Sequence, residues 1–175
     1  MLNKKSLLKT TYTAIFTAII MLCTMLIKFS TGVGEGYIHF GDCFIYLAAC
    51  VLPFPYCLIA GALGGALADI LGGYAVWSIP TAMIKILIAS PFMVISKKNF
   101  TPKILNKKIT LIAIISGVIS IVGYFIAESV LYSIESATLS IIGNTIQAFS
   151  SGVLFVIMAS ALDKANFKNK ISKGV

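Results

Sequence analysis

An all-α integral membrane protein, a six-transmembrane-helix bundle with N- and C-termini cytoplasmic, is the fold class this sequence predicts, and three observations predict it. The 175 residues are 58% hydrophobic and only 11% charged, whereas a soluble domain carries about 25% charged and 45–50% apolar residues. That excess cannot be hidden in the core of so short a chain, so lipid must be the solvent for much of it. The apolar residues fall into blocks separated by glycine-, proline- or lysine-rich connectors. The basic residues, all Lys, cluster at the N-terminus (Lys4, Lys5, Lys9), in one connector (Lys97, Lys98, Lys103, Lys107, Lys108) and at the C-terminus (Lys164, Lys168, Lys170, Lys173).

The blocks read in order as follows. A first span runs from about Leu8 to Lys28; no A-x-A cleavage site follows it, so it reads as an uncleaved helix rather than a signal peptide. A Gly-rich connector, Ser30 to Gly41, leads to a short second span, about Asp42 to Pro53, closed by Pro53-Phe54-Pro55. The third span covers about Cys57 to Gly73. After Gly73–Trp77 comes a fourth, about Ser78 to Ser96. Beyond the lysine connector stand a fifth, about Ile109 to Tyr132, and a sixth, about Thr138 to Leu162. Cytoplasmic loops attract Lys and outer ones do not. An even count from an inside N-terminus puts every lysine cluster in the cytoplasm and Glu35, His39, Asp42 and Glu135 outside, within one domain spanning 1–175. A nucleic-acid partner is not expected, because the net charge of +8 is spread over loop clusters rather than one folded face.

Several motifs read as packing. Cys43, Cys50 and Cys57 are seven apart, as on one helical face, and with Cys23 form no CxxC pair, so they read as packing residues rather than metal ligands or disulfides; no cofactor is expected. The third span holds Gly61-x-x-x-Gly65 and Gly64-x-x-x-Ala68, spacings that let helix backbones approach closely in lipid. It has no GxxxxGK[ST] pattern, so a phosphate cradle is excluded.

Ionisable groups inside spans cost at least ~2.5–3.5 kcal/mol each at mid-helix and are functional candidates by default. They are Asp69, Lys85 and Glu128, joined by Asn144 and Gln147, which share a helical face. All lie in the outer half of their spans, above a cytoplasmic half that reads as almost purely apolar. A proton relay or channel needs polar groups along its whole path, whereas an outward pocket with a sealed floor needs this arrangement. Lys85 reads equally as a ligand contact or as the partner of Asp69 in a structural ion pair. Glu128, Asn144 and Gln147 read as ligand contacts. The first connector combines glycines with Tyr37, His39 and Phe40, as a mobile aromatic lid would, although a lone His is ordinarily a solvated loop residue. Tyr74 and Trp77 offer a second aromatic edge, or an interfacial belt. No Ser–His or paired-Asp arrangement lies within the spans, so an enzyme is not expected.

Gly-Tyr-Ile-His-Phe-Gly-Asp at 36–42 and Gly-Ala-Leu-Gly-Gly-Ala-Leu-Ala-Asp at 61–69, within six spans, resemble the substrate-binding S components of energy-coupling factor (ECF) transporters. The similarity is to the branch that includes riboflavin-, hydroxymethylpyrimidine- and pyridoxine-type members. It implies a B-vitamin or precursor bound in an outward-facing pocket in a bacterial cell membrane. It also implies a membrane T component docked on an A-x-x-x-A pattern, matched here by Ala14 and Ala18, and two cytoplasmic ATPases that supply the energy. The competing readings are a self-sufficient secondary transporter coupled through Asp69 or Glu128, and a structural membrane protein without a ligand.

Overall fold

The computed structural model describes residues 4–26, 28–30, 37–96 and 103–172. Its helices are α1 (Lys4–Met25), α2 (Gly41–Val51), α3 (Tyr56–Leu71), α4 (Ser78–Ser96), α5 (Lys107–Leu131), α6 (Ile134–Lys164) and α7 (Phe167–Ser172). A short antiparallel ribbon, β1 (Lys28–Ser30) and β2 (Tyr37–His39), precedes α2. A 3-10 turn, Ala75–Trp77, leads into α4. The ribbon and α7 are the elements the periodicity did not predict. The tip of the expected lid, 31–36 with Glu35, and Lys97 and Lys98 lie outside the described residues.

Helix polarity is inverted relative to a soluble bundle. On α5 the buried positions are Ile109, Ala113, Ser116, Gly117, Ser120 and Glu128, mostly small or polar, while Ile114, Val118, Val122 and Ile126 are exposed. On α6, Gln147 and Ser151 face inward and Ile142, Ile146, Phe149 and Ile157 outward. In water such faces would be reversed; in lipid this is the favourable arrangement. α1, the 75–93 stretch, α5 and α6 are long and apolar enough to cross a bilayer. α2 and α3 are apolar but shorter.

Close packing centres on α3, which lies between α1 and α4. A Cβ on Gly64 would stand 2.7 Å from Ile20 Cγ2 of α1, and one on Gly65 would stand 2.9 Å from both Thr81 Cγ2 and Lys85 Cγ of α4. The two interleaved small-residue patterns thus serve two different neighbours. Just past the end of α3 the chain turns at Gly73, whose φ of +88° suits a residue without Cβ. In α4, Pro91 lacks the N–H that would bond Leu87 one turn back, and Ser90 Oγ donates to that carbonyl instead, at 2.9 Å. This is how a proline is accommodated in a lipid-facing helix.

At the lysine end, Asp163 of α6 accepts from the backbone N–H groups of Ile104 (2.6 Å) and Leu105 (2.9 Å). Asn106 caps α5 through Ile109 N at 3.0 Å. These contacts hold the connector bearing Lys103, Lys107 and Lys108 beside the end of α6 that bears Lys164. The cysteine expectation is corrected here. Cys43 and Cys50 share α2, but Cys57 lies beyond the proline turn in α3, and all four cysteines are free thiols.

Candidate binding site

The polar centre of the bundle is an ion pair. Lys85 Nζ donates to Asp42 Oδ1 at 2.5 Å, and neither side chain is more than 1% exposed. Lys85 therefore pairs with Asp42, not with Asp69 as the sequence reading weighed. The reason is local. Gly61 and Gly65 on α3 leave a groove for the lysine stem, while the ribbon folds the first turn of α2 down into the bundle. Asp42, taken from sequence as a mark of the outer connector, becomes fully buried as a result. Its position directly after His39-Phe40-Gly41, ahead of an apolar run, was the available signal.

Around this pair four elements, β2, α2, α4 and α6, converge. Gln147 Nε2 of α6 donates to Asp42 Oδ2 at 3.3 Å and lies 3.3 Å from His39 Nε2. His39 is buried, at 4% exposure, which corrects the expectation of a solvated loop residue. Its Nδ1 accepts from Gly41 N at 3.1 Å. Burial first, and then the Lys85 cation, hold its pKa down to about 4, so the ring is neutral. With Nδ1 accepting, the proton sits on Nε2 and faces the amide of Gln147. Gly41 is itself enforced, because a Cβ there would meet Thr24 Oγ1 at 2.0 Å.

An aromatic edge adjoins the pair. The Tyr124 ring lies 5.1 Å from Lys85 Nζ, within cation–π range. Trp77 packs against Tyr124 and Tyr132 with centroids 6.1 and 5.9 Å apart, and its Nε1 donates to Tyr132 Oη at 3.2 Å. Trp77 is thus part of an aromatic cluster within the protein. Tyr124 and Tyr132 went unremarked in the sequence, yet Ser116, Ser120, Tyr124 and Glu128 recur every four residues, one polar stripe on α5.

The other expected residues separate. Glu128 is buried, but its Oε1 accepts from Ser136 and Ser140 Oγ at 2.8 Å each, so it staples α5 to α6. Asn144 is half-buried on the same face of α6 as Gln147. Asp69 is buried near the end of α3, and its carbonyl accepts from Tyr74 N at 2.7 Å. Tyr37 pairs with Ser30 in the ribbon, and its side chain lies outside the described residues. Ala14 and Ala18 are exposed on α1, opposite the buried Thr13, Phe16 and Ile20. Among the described residues no cluster of His, Cys, Asp or Glu could hold a metal ion.

An inverted-polarity helical bundle with a charged, hydrogen-bonded centre near one end is a membrane protein with an internal polar site. The family model of the ECF-type riboflavin transporter S component matches residues 4–164, and the chain belongs to that family. It is thus a transport protein of the vitamin-uptake type, in a family of transporter subunits rather than of enzymes. It is also similar to an uncharacterized protein in a gap 3'region of Pyrococcus woesei, 28% identical over 136 residues, covering 77% of this chain and 88% of that protein.

Proposed function

We propose that this chain is the substrate-capture subunit of a multi-pass bacterial importer, binding riboflavin or a related heterocyclic vitamin from outside. The observation that carries the reading is the site itself: His39 and Asp42, where the ribbon enters α2, meet Lys85 and Gln147 in the halves of α4 and α6 away from the lysine-rich connector and C-terminus. Under the positive-inside rule that side faces out. α2 and α3, apolar but shorter than the other four helices, complete six crossings. A flat heterocycle wants an aromatic neighbour and fixed donors and acceptors. Tyr124 and Trp77 provide the first, and Gln147, Asn144 and His39 the second. Lys85 and Asp42, neutralised by each other, set the orientation of Gln147.

A T component is the natural partner for Ala14 and Ala18, because an exposed small-residue stripe lets a second helix approach closely. Cytoplasmic ATPases would then supply the energy, as the family implies. Mass spectrometry of small molecules released from the purified protein tests the reading. A flavin or a similar heterocycle is expected at near one per chain. Recovery of none, together with no binding of added riboflavin, would overturn it.

A further inference from the structure

Beneath the Asp42–Lys85–Gln147 centre lies a second polar layer that neither the ion pair nor the helix caps use. Tyr46 of α2, Ser116 of α5 and Ser151 of α6 are fully buried, and the hydroxyl of each has no hydrogen-bond partner among the described residues. Their placement follows from helix periodicity. Tyr46 is one turn below Asp42, and Ser151 is one turn below Gln147. The α5–α6 register is fixed by Gly117 against Ala148 and by Glu128 bonded to Ser136 and Ser140. Because the two helices run antiparallel, that register brings Ser116 level with Ser151. The Tyr46 ring stacks on Phe92 (5.4 Å) and meets Phe155 edge-on (5.7 Å). Phe155 is one turn below Ser151, and the Phe92–Phe155 pair closes the layer from beneath.

Serine and threonine on a lipid-embedded helix normally donate to the carbonyl one turn back, which satisfies the hydroxyl at no cost to packing. Thr13, Thr17, Thr110, Ser129 and Ser160 all do so here, at 2.7 to 3.2 Å. Ser116 and Ser151 forgo that bond although the same geometry is open to them. An isolated buried hydroxyl left in this way is costly. Tyr46 and Ser151, each one turn under a residue of the site, and Ser116, level with Ser151, point to a shared guest. It must be small and uncharged, since Asp42 and Lys85 above it already neutralise each other. It must also both donate and accept.

We propose that Tyr46, Ser116 and Ser151 form a hydroxyl-binding subsite forming the deep end of the pocket. Its guest is an O–H group, either the alcohol of a bound ligand's side chain or a water molecule held by the three hydroxyls. This rests on the binding reading above and extends the site to mid-bundle, into the depth that the sequence presented as apolar.

The test compares Ser116→Ala/Ser151→Ala and Tyr46→Phe with the unaltered protein, using riboflavin, whose side chain carries hydroxyls, and lumiflavin, which has a methyl group in its place. If the guest is a ligand alcohol, the variants lose tenfold or more of their riboflavin affinity and keep that for lumiflavin. If the guest is water, the ligand-free variants melt several degrees lower, and the two flavins are affected alike. Variants that melt at or above the original temperature and bind both flavins unchanged would overturn the proposal, because deleting a truly isolated hydroxyl is neutral or stabilising. Should neither flavin bind even the unaltered protein, the binding reading fails, but the melting comparison still decides the water arm. Should the double variant fail to fold, Tyr46→Phe, which changes no volume in the backbone's vicinity, carries both measurements.

Discussion

Lys85 is the residue on which the rest of the site depends, and its burial defines what its removal should do. A fully buried cation survives only with a close counter-charge, and removing one partner leaves the other exposed to the whole desolvation cost, about 3–5 kcal/mol. Lys85→Met should therefore unfold the protein at markedly lower temperature. Adding Asp42→Asn should restore most of the loss, since the second charge goes too while a polar group remains for Gln147. Thermal unfolding of both variants checks this, and a double variant no better than the single would disprove the pairing. His39 predicts a pH dependence. Its folded pKa of about 4 lies below the ordinary 6.5, so the folded state binds fewer protons between these values. Its contribution, on the order of 3 kcal/mol, is complete above pH 6.5 and is lost as pH falls toward 4. Melting curves across that window should show a decline that His39→Gln reduces. Lys85, Gln147 and Glu128 were legible as candidates because an ionisable or amide group inside an apolar run stands out. Asp42 was not, and although His39 stood out as part of an aromatic lid its burial did not, because what buries both is the ribbon, and three-residue strands leave no periodicity. The serines at 116 and 151 were hidden by being ordinary in membrane helices. What distinguishes them is the bond they do not make.

At the scale of elements, α3 shows how small-residue spacing becomes architecture. Gly61 and Gly65 make room for the Lys85 stem, and Gly64 receives Ile20 of α1. Replacing Gly64 with Leu forces bulk against both that side chain and the carbonyl of Thr17, 3.0 Å from the position a Cβ would take. Overpacking of this kind costs typically 1–3 kcal/mol, and the folded yield and melting temperature of Gly64→Leu should fall accordingly. Ala14→Trp is the contrasting case. On the exposed face of α1 it should leave melting and ligand binding unchanged while abolishing uptake in cells that supply the partner subunits. Equal loss of binding and uptake would return Ala14 to internal packing. The sequence located the six principal helices closely, because apolar run length and lysine or proline breaks are strong signals. It overran α2, whose end is set by the proline turn. It also started α6 late, because Ser133, which caps that helix through Ser136 N at 3.2 Å, looks like loop in an outer connector.

For the whole molecule, the polar site lies in the half of the bundle away from the lysine clusters, which ties topology to function. α1 begins with Lys4, Lys5 and Lys9 and ends at the ribbon, while the connector before α5 and the end of α6 are joined by Asp163. A reporter scan should place Lys103 inside and Glu135 outside; the same side for both would break the six-crossing arrangement. If the pocket captures a flavin-like vitamin from outside, the amide of Gln147 lies at its centre and should contact the ligand directly. The most direct measurement is equilibrium titration of riboflavin into the purified, detergent-solubilised protein, followed by quenching of flavin fluorescence. Saturation at one flavin per chain is expected, with affinity reduced about tenfold or more in a Gln147→Ala variant that remains folded. Absence of saturable binding, or affinity untouched by that substitution, would contradict the account.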